Sequence, residues 1–407
     1  MPLRATAPPR SRPPPAALRP GATPPASRRT PRPYGACALL VALFAAAAVA
    51  GPAEDAALAN QRGDYATALS LFRTAAEAGD PAAQFGLGSM HAAGLGVPRD
   101  YAEAAKWYRR AAAQGNALAQ NNLGALYDRG RGVTQDHAEA AKWYRLAADQ
   151  GDVYAQISLG TMYYAGRGMP HDYAIAATWF RKAADQGDAS AQNQLGMMYA
   201  KGQGVPRDYA AALAWYRKSA EQGNPAARLH LGIMYATGEG VPADFAAAQR
   251  TLLPLAEMGN AEAQVTIGNL YAAGQGVKKS DAEALAWFRR AADQGNAVAE
   301  FNVGLFRYGG RGGKQDYAEA AKWYRRAAAR GYADAQFNLG LMYERGVAVP
   351  QEPATAYLWL NLAAARYTSA EPKLRASAAA ARDRVAARLS PDELAAAQKA
   401  SAAWKPK

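Results

Sequence analysis

Residues Asp80 to Gly115 read DPAAQFGLGSMHAAGLGVPRDYAEAAKWYRRAAAQG, and this stretch decides the fold. Asp80 is a helix-capping residue, and Pro81 suits the first helical position, where its missing N–H is no loss. Ala83, Leu87 and Met90 then share one face at helical spacing. Gly94-Leu95-Gly96 ends that helix, because two glycines in three residues remove helix propensity. Asp100 caps the next helix. Glu103 follows three residues on in the pattern of a capping box, a pairing repeated at Asp136/Glu139 and Asp316/Glu319. Ala104, Trp107, Tyr108 and Ala111 form the interior stripe of this second helix. Gln114 is its last residue, and Gly115 stands where a glycine closes a helix. The stretch is a helix–turn–helix, and no window of the chain alternates at the strand period.

Outward from this stretch the pattern repeats. Gly79, Gly115, Gly151, Gly187, Gly223, Gly259, Gly295 and Gly331 recur at a spacing of 36 without a slip. Eight units span 80–367. An Ala-rich half-unit at 51–79 caps the front, and a tail at 368–407 follows. A fixed period of this size marks a solenoid. It replaces the two or three compact domains that 407 residues otherwise imply. The predicted class is all-α, an α-solenoid of 36-residue helix–turn–helix units.

Gly88, Gly124, Gly160, Gly196, Gly232, Gly268, Gly304 and Gly340 fall in mid-helix, where glycine costs roughly 1 kcal/mol against alanine. A cost kept in every unit predicts a close approach of two helices. Trp107, Trp143, Trp179, Trp215, Trp287, Trp323 and Trp359 share one repeat position. Their regular spacing predicts a packed spine rather than cofactor or sugar stacking.

The run AAQFGLGSMHAAGLGVPRDYAEAAKWYRRAAAQG and its copies resemble the SEL-one-like repeat, a relative of the tetratricopeptide repeat. The A-x-x-x-L-G start, the G-x-G-V-x-x-D loop, the A-x-x-W-Y/F core and the A-A-x-x-G end carry the resemblance over residues 80–367. It implies a right-handed α-solenoid with an adaptor or scaffold role, and many bacterial members are secreted. It implies partner binding, not a reaction. Three units depart from the pattern. Thr251 replaces the tryptophan in unit 224–259, where Pro254 falls inside the second helix and should kink it. The turn of unit 296–331 reads GGRGGKQD and lacks the V-P pair. Unit 332–367 ends at Tyr367, and its AYLWLNLAAA helix is apolar enough to bury against the tail. Leu374, Ala378, Ala381, Val385 and Leu389 form a helical stripe there, and Ser390 to Glu393 restart a helix with a capping box. The tail is predicted to be a helical cap, which terminal repeats require.

Residues 1–50 read as an address. Residues 1–33 hold 11 prolines and seven arginines with no acid, a composition that cannot bury a core. Ala36 to Ala50 is uncharged and apolar, shorter than a membrane span needs, and ends in Ala48-Val49-Ala50. Basic segment, apolar segment and small-residue site in that order predict a secretory signal peptide. The net charge of +13 is largely this segment, since residues 51–407 carry 40 basic against 34 acidic residues, or +6. With 50% hydrophobic and 20% charged residues, the composition excludes a wholly disordered chain, collagen and a polytopic membrane protein. The one cysteine, Cys37, precedes residue 51, so no disulfide, thiolate metal site or cysteine nucleophile is expected downstream.

No pattern for catalysis stands out. His91, His137, His171 and His230 occupy four different repeat positions and form no H-E-x-x-H. There is no G-x-S-x-G, no S-x-x-K and no G-K-[ST]. The G-x-G-V-P-x-D loops follow a helix rather than a strand and lack the third glycine of a dinucleotide loop. Basic residues of the second helices, such as Lys106, Arg109 and Arg110, alternate with aromatic residues at core spacing. That is the pattern of a solvated face rather than a nucleic-acid surface.

What varies from unit to unit is the first helix. At the position of residue 85 and four residues on, the chain carries Phe85, Ile157, Met197, Leu229, Ile233, Val265, Phe301, Leu305, Phe337 and Leu341. On a groove these residues would mark a partner site; packed between neighbouring first helices they would belong to the core. The larger apolar groups of the later units, Leu229, Ile233, Phe301, Leu305, Phe337 and Leu341, would then carry most of the binding. The predicted function is a non-catalytic scaffold, periplasmic or extracellular, that binds a partner protein. No cofactor, metal, nucleic acid or membrane span of the mature chain is expected. The alternatives are an envelope enzyme acting on peptidoglycan or β-lactams and a binder of glycan polymers such as exopolysaccharide. The sequence carries no signal for one particular partner or oligomeric state.

Overall fold

A computed structural model describes residues 51–368 and 371–406. The basic segment, Cys37 and the apolar run up to Ala50 lie outside the described residues. The described residues form twenty helices and no strand. Sixteen consecutive helices, from Tyr65–Glu77 to Ala333–Arg345, are each thirteen residues long, about 20 Å at the usual helical rise.

Contacts divide the chain into two compact units between Gln222 and Gly223. The first holds ten helices, from Pro52–Gln61 to Tyr209–Glu221. The second holds ten more, from Pro225–Thr237 to Pro391–Ala403. Within each unit, the first helix of a repeat packs on its own second helix, and that second helix packs on the next first helix. This is the stacking of an α-solenoid, the predicted fold class, and it gives each repeat a core shared with its neighbour.

Local chemistry sets the boundaries. Asp80 accepts from the N–H groups of Ala82 at 2.7 Å and Ala83 at 2.9 Å. Asp100 does the same for Ala102 and Glu103. The boxes expected at the second helices are only half made. Glu103 and Glu139 turn away from the cap to Lys106 and Lys142, at 2.7 and 2.8 Å, and Glu319 binds Arg289 at 2.7 Å and Arg307 at 2.9 Å. A long basic side chain within reach outcompetes the lone backbone N–H. The box at Ser390/Glu393 is complete. Pro254 does not end its helix, which runs on to Glu257.

The mid-helix glycines do what their repetition predicts. A Cβ at Gly88 would lie 2.8 Å from the ring of Tyr108 and 3.3 Å from the carbonyl oxygen of Ala104. The same crossing joins Gly124 to Tyr144, Gly160 to Phe180, Gly268 to Phe288 and Gly304 to Tyr324. Each glycine lets the second helix of its repeat lay an aromatic ring directly on the first helix.

At the front, Ala56, Ala68 and Phe72 join Ala83, Leu87, Met90 and Trp107 in one cluster. At the far end, the tail forms helices Pro372–Ala386 and Pro391–Ala403. Ala378, Ala381 and Val385 are buried against Tyr357, Leu360 and Ala363, with Leu374 and Leu389 at the margin.

Candidate interaction surface

A second regularity ties the start of each first helix to the end of its second. Gln114 Nε2 donates to Gln84 Oε1 at 2.8 Å and to the Gly79 carbonyl at 3.1 Å. Gln84 in turn donates to the Ala76 carbonyl of the preceding helix at 3.1 Å. The amide pair recurs as Gln150–Gln120, Gln186–Gln156, Gln222–Gln192 and Gln294–Gln264, all at 2.7 to 2.9 Å. Each pair joins a buried first-helix amide to an exposed one, and together they satisfy orphan carbonyls at the helix ends. A further rung links consecutive repeats: Arg109 donates to the Tyr127 hydroxyl at 2.8 Å and Arg145 to that of Tyr163 at 2.7 Å.

The first-helix residues singled out from the sequence fall into two groups. Leu229, Val265, Phe301, Phe337 and Leu341 are buried. Phe301 lies 5.7 Å from the ring of Tyr324 and 5.1 Å from that of Tyr332. Phe337 and Leu341 join the cluster under the tail. Phe85, Ile157, Met197, Ile233 and Leu305 are half-buried. Phe85 leans on Tyr108, with ring centroids 5.8 Å apart. None of the ten is fully exposed, and no single pocket gathers them.

The titratable groups are dispersed. His137 Nδ1 sits 2.9 Å from Asp128 Oδ1, and His171 stacks edge-on against Tyr173 at 4.0 Å. Burial pushes the phenols of Tyr108 and Tyr216 up, and that of Tyr144 up to about 12, aided by the charge of Asp128. Burial likewise raises the Asp334 carboxyl, which accepts from the Tyr367 hydroxyl at 2.7 Å. Among the described residues no three His, Cys, Asp or Glu side chains gather to hold a metal ion. No helix among them is long and apolar enough to cross a membrane. An open cleft of about 640 Å³ lies between Glu344, Arg345, Gln351, Arg384 and Arg388, with Arg384 paired to Glu344 at 3.2 Å.

Sequence reasoning missed three exposed apolar groups. Leu118, Leu146 and Tyr154 are each about half exposed. Their signal was available: each is larger and more apolar than most residues at the same repeat position.

Constant stacked helix pairs with a changing outer face define a helical-repeat scaffold. The Sel1 repeat matches nine consecutive stretches, 59–80, 81–116, 117–152, 153–188, 189–224, 225–260, 261–296, 297–332 and 333–367, and the chain belongs to that family. The first stretch takes in part of the helix pair ahead of Asp80. Among solved structures, a protective antigen of uropathogenic Escherichia coli with an SLR fold is 32% identical. That match covers 86% of this chain and 83% of the other, with a TM-score of 0.60. A Sel1 repeat protein from Oxalobacter formigenes is 35% identical, covering 75% of this chain and 88% of the other, with a TM-score of 0.59. No curated protein matches the chain.

Proposed function

We propose that the chain is a non-catalytic scaffold that is exported, works in the periplasm or outside the cell, and holds a partner protein on its first-helix face. One observation carries this reading. The interior is largely the same in successive repeats, with a glycine–aromatic crossing in most and a Gln–Gln bond in five, while the half-buried first-helix residues change. In one unit they run from Phe85 to Ile157 to Met197; in the other they include Ile233 and Leu305. A constant frame with a varied surface suits recognition of one partner rather than a reaction. Leu229, Val265, Phe301, Phe337 and Leu341 lie under that face and set its shape. The basic segment, the apolar run and Ala48-Val49-Ala50 support export.

The test is a photo-crosslinker placed at Met197 in the full chain, in intact bacterial cells that are then fractionated. A discrete adduct in the envelope or external fraction is expected. A chain that stays cytoplasmic, or that turns over nitrocefin or releases muropeptides when pure, overturns the proposal.

A further inference from the structure

We propose that the edge formed by Leu118, Leu146 and Tyr154 is a docking site for a basic amphipathic segment of a partner protein. The inference rests on the scaffold reading but uses residues at helix ends rather than the repeat positions of Phe85 and Met197.

Leu118 is the second residue of helix Ala117–Arg129, Leu146 lies in the last turn of His137–Asp149, and Tyr154 is the second residue of Val153–Ala165. Hydrogen bonds hold these three helix ends together. Gln150 Nε2 donates to Gln120 Oε1 at 2.7 Å and to the Leu146 carbonyl at 3.3 Å. Gln156 Nε2 donates to the Ala148 carbonyl at 3.2 Å. The three side chains therefore stand at helix ends that these bonds hold side by side, with exposures of 49%, 48% and 51%.

Leu118 and Leu146 belong to one repeat and Tyr154 to the next. In the same unit, Ala82 and Ser190 stand at the position of Leu118 and Tyr154, and Arg110, Lys182 and Lys218 stand at the position of Leu146. Each of those cations covers a tryptophan, over Trp107 at 4.4 Å, Trp179 at 4.0 Å and Trp215 at 4.5 Å. Leu146 brings no such cation to Trp143, whose indole Nε1 is buried without an acceptor. The fold accepts a small or charged residue at all three sites, so the apolar groups are not needed to form it. Apolar side chains gathered on a surface mark interaction sites, and tyrosine is favoured among anchors.

The surrounding charge selects the partner. Asp149 and Asp185 end their helices exposed, where the helix dipole disfavours a carboxylate. Asp152 and Asp188 cap the helices that follow, each accepting a backbone N–H at 2.7 Å. Against these four carboxylates stand Arg110, Arg145 and Lys182, all engaged on indole rings. A segment with aliphatic side chains beside lysine or arginine fills the apolar patch and neutralises Asp149 and Asp185.

The test measures binding of a labelled Leu/Lys amphipathic peptide to the full chain by fluorescence anisotropy. The variant is Leu118→Ala, Leu146→Lys and Tyr154→Ser together, each the residue that another repeat of this chain carries, so that folding is retained. Binding is expected to weaken about tenfold or more in the triple variant. It should weaken as much with a Leu/Glu peptide of the same pattern and stay unchanged in Met197→Ala. Equal binding to the triple variant, or to a lysine peptide without leucine, overturns the site. So does a dimer in sedimentation that the triple variant dissolves, because the occupant would then be a second copy. Absence of peptide binding with the Met197 adduct intact removes this edge alone and leaves the scaffold reading standing.

Discussion

Glu300 accepts a hydrogen bond from Arg326 Nε at 2.9 Å and faces Arg330 Nε at 3.3 Å, in the place that glutamine fills in six other repeats. The carboxylate is fully buried, while the two arginines are 45% and 44% exposed. Here an ion pair replaces the Gln–Gln bond that closes five other repeats, and the two sides of the pair have unequal access to water.

That inequality predicts unequal mutants. Arg326→Ala with Arg330→Ala strands a buried carboxylate and should cost about 3–5 kcal/mol. Glu300→Gln leaves cations that already reach water and should cost about 1 kcal/mol. Glu300→Gln with Arg330→Gln rebuilds the amide pair and should return to within about 1 kcal/mol of the parent. Native-state hydrogen exchange of helices Ala297–Gly309 and Tyr317–Ala329 checks the order.

The turns predict opposite outcomes for two alanine–glycine exchanges. Gly132 has φ +69°, and a Cβ there would run into the backbone of Tyr101 and Ala102 in the preceding repeat. Gly132→Ala should cost about 2–5 kcal/mol, from left-handed strain plus overpacking. Ala348 occupies the equivalent turn position with φ 54°, the one non-glycine left-handed residue among those described. Ala348→Gly should stabilise by roughly 0.5 kcal/mol, strain relief exceeding the added freedom of the unfolded chain. Thermal midpoints of the two variants should move in opposite directions.

Tyr144 predicts a stability loss in alkali. Burial first, and the Asp128 charge second, push its phenol from the ordinary value near 10 up to about 12. The fold therefore favours the neutral phenol. The resulting stability is fully present below pH 10 and is lost as pH rises through about 12. Denaturant unfolding between these limits should show it, and Tyr144→Phe should flatten the profile.

Phe301 and Met197 separate packing from recognition. Phe301→Ala should cost about 3–5 kcal/mol, as for a buried aromatic truncated in a core. Met197→Ala should leave the melting temperature within a degree or two and weaken the partner adduct that a photo-crosslinker at Ile157 forms in cells. Differential scanning calorimetry alongside the crosslinking experiment checks both halves.

Most of the frame was legible because it is written in short-range chemistry. Asp80, Pro81, Gly94 and Gly115 mark helix ends through their own backbone preferences, and a period of 36 needs only counting. Gly88 announced a close crossing through its repeated cost. The Gln84–Gln114 bond was harder to see. Its partners stand 30 residues apart, and nothing local shows that an exposed glutamine at one helix end meets a buried one on another helix. The half-made boxes escaped for a similar reason, since Glu103 chose between two partners of comparable reach.

The sequence by itself determined that this chain is a stack of helix pairs and which residues turn inward on each second helix, because a helix stripe follows from spacing alone. Only the tertiary structure decided which first-helix residues are covered. Phe85 and Phe301 share a repeat position, yet Phe301 is closed in by Tyr324 and Tyr332 while Phe85 meets Tyr108 and stays half open. Burial is a property of the neighbour as much as of the residue. The same holds for Leu146, whose exposure follows from which side chains pack around it in its own repeat.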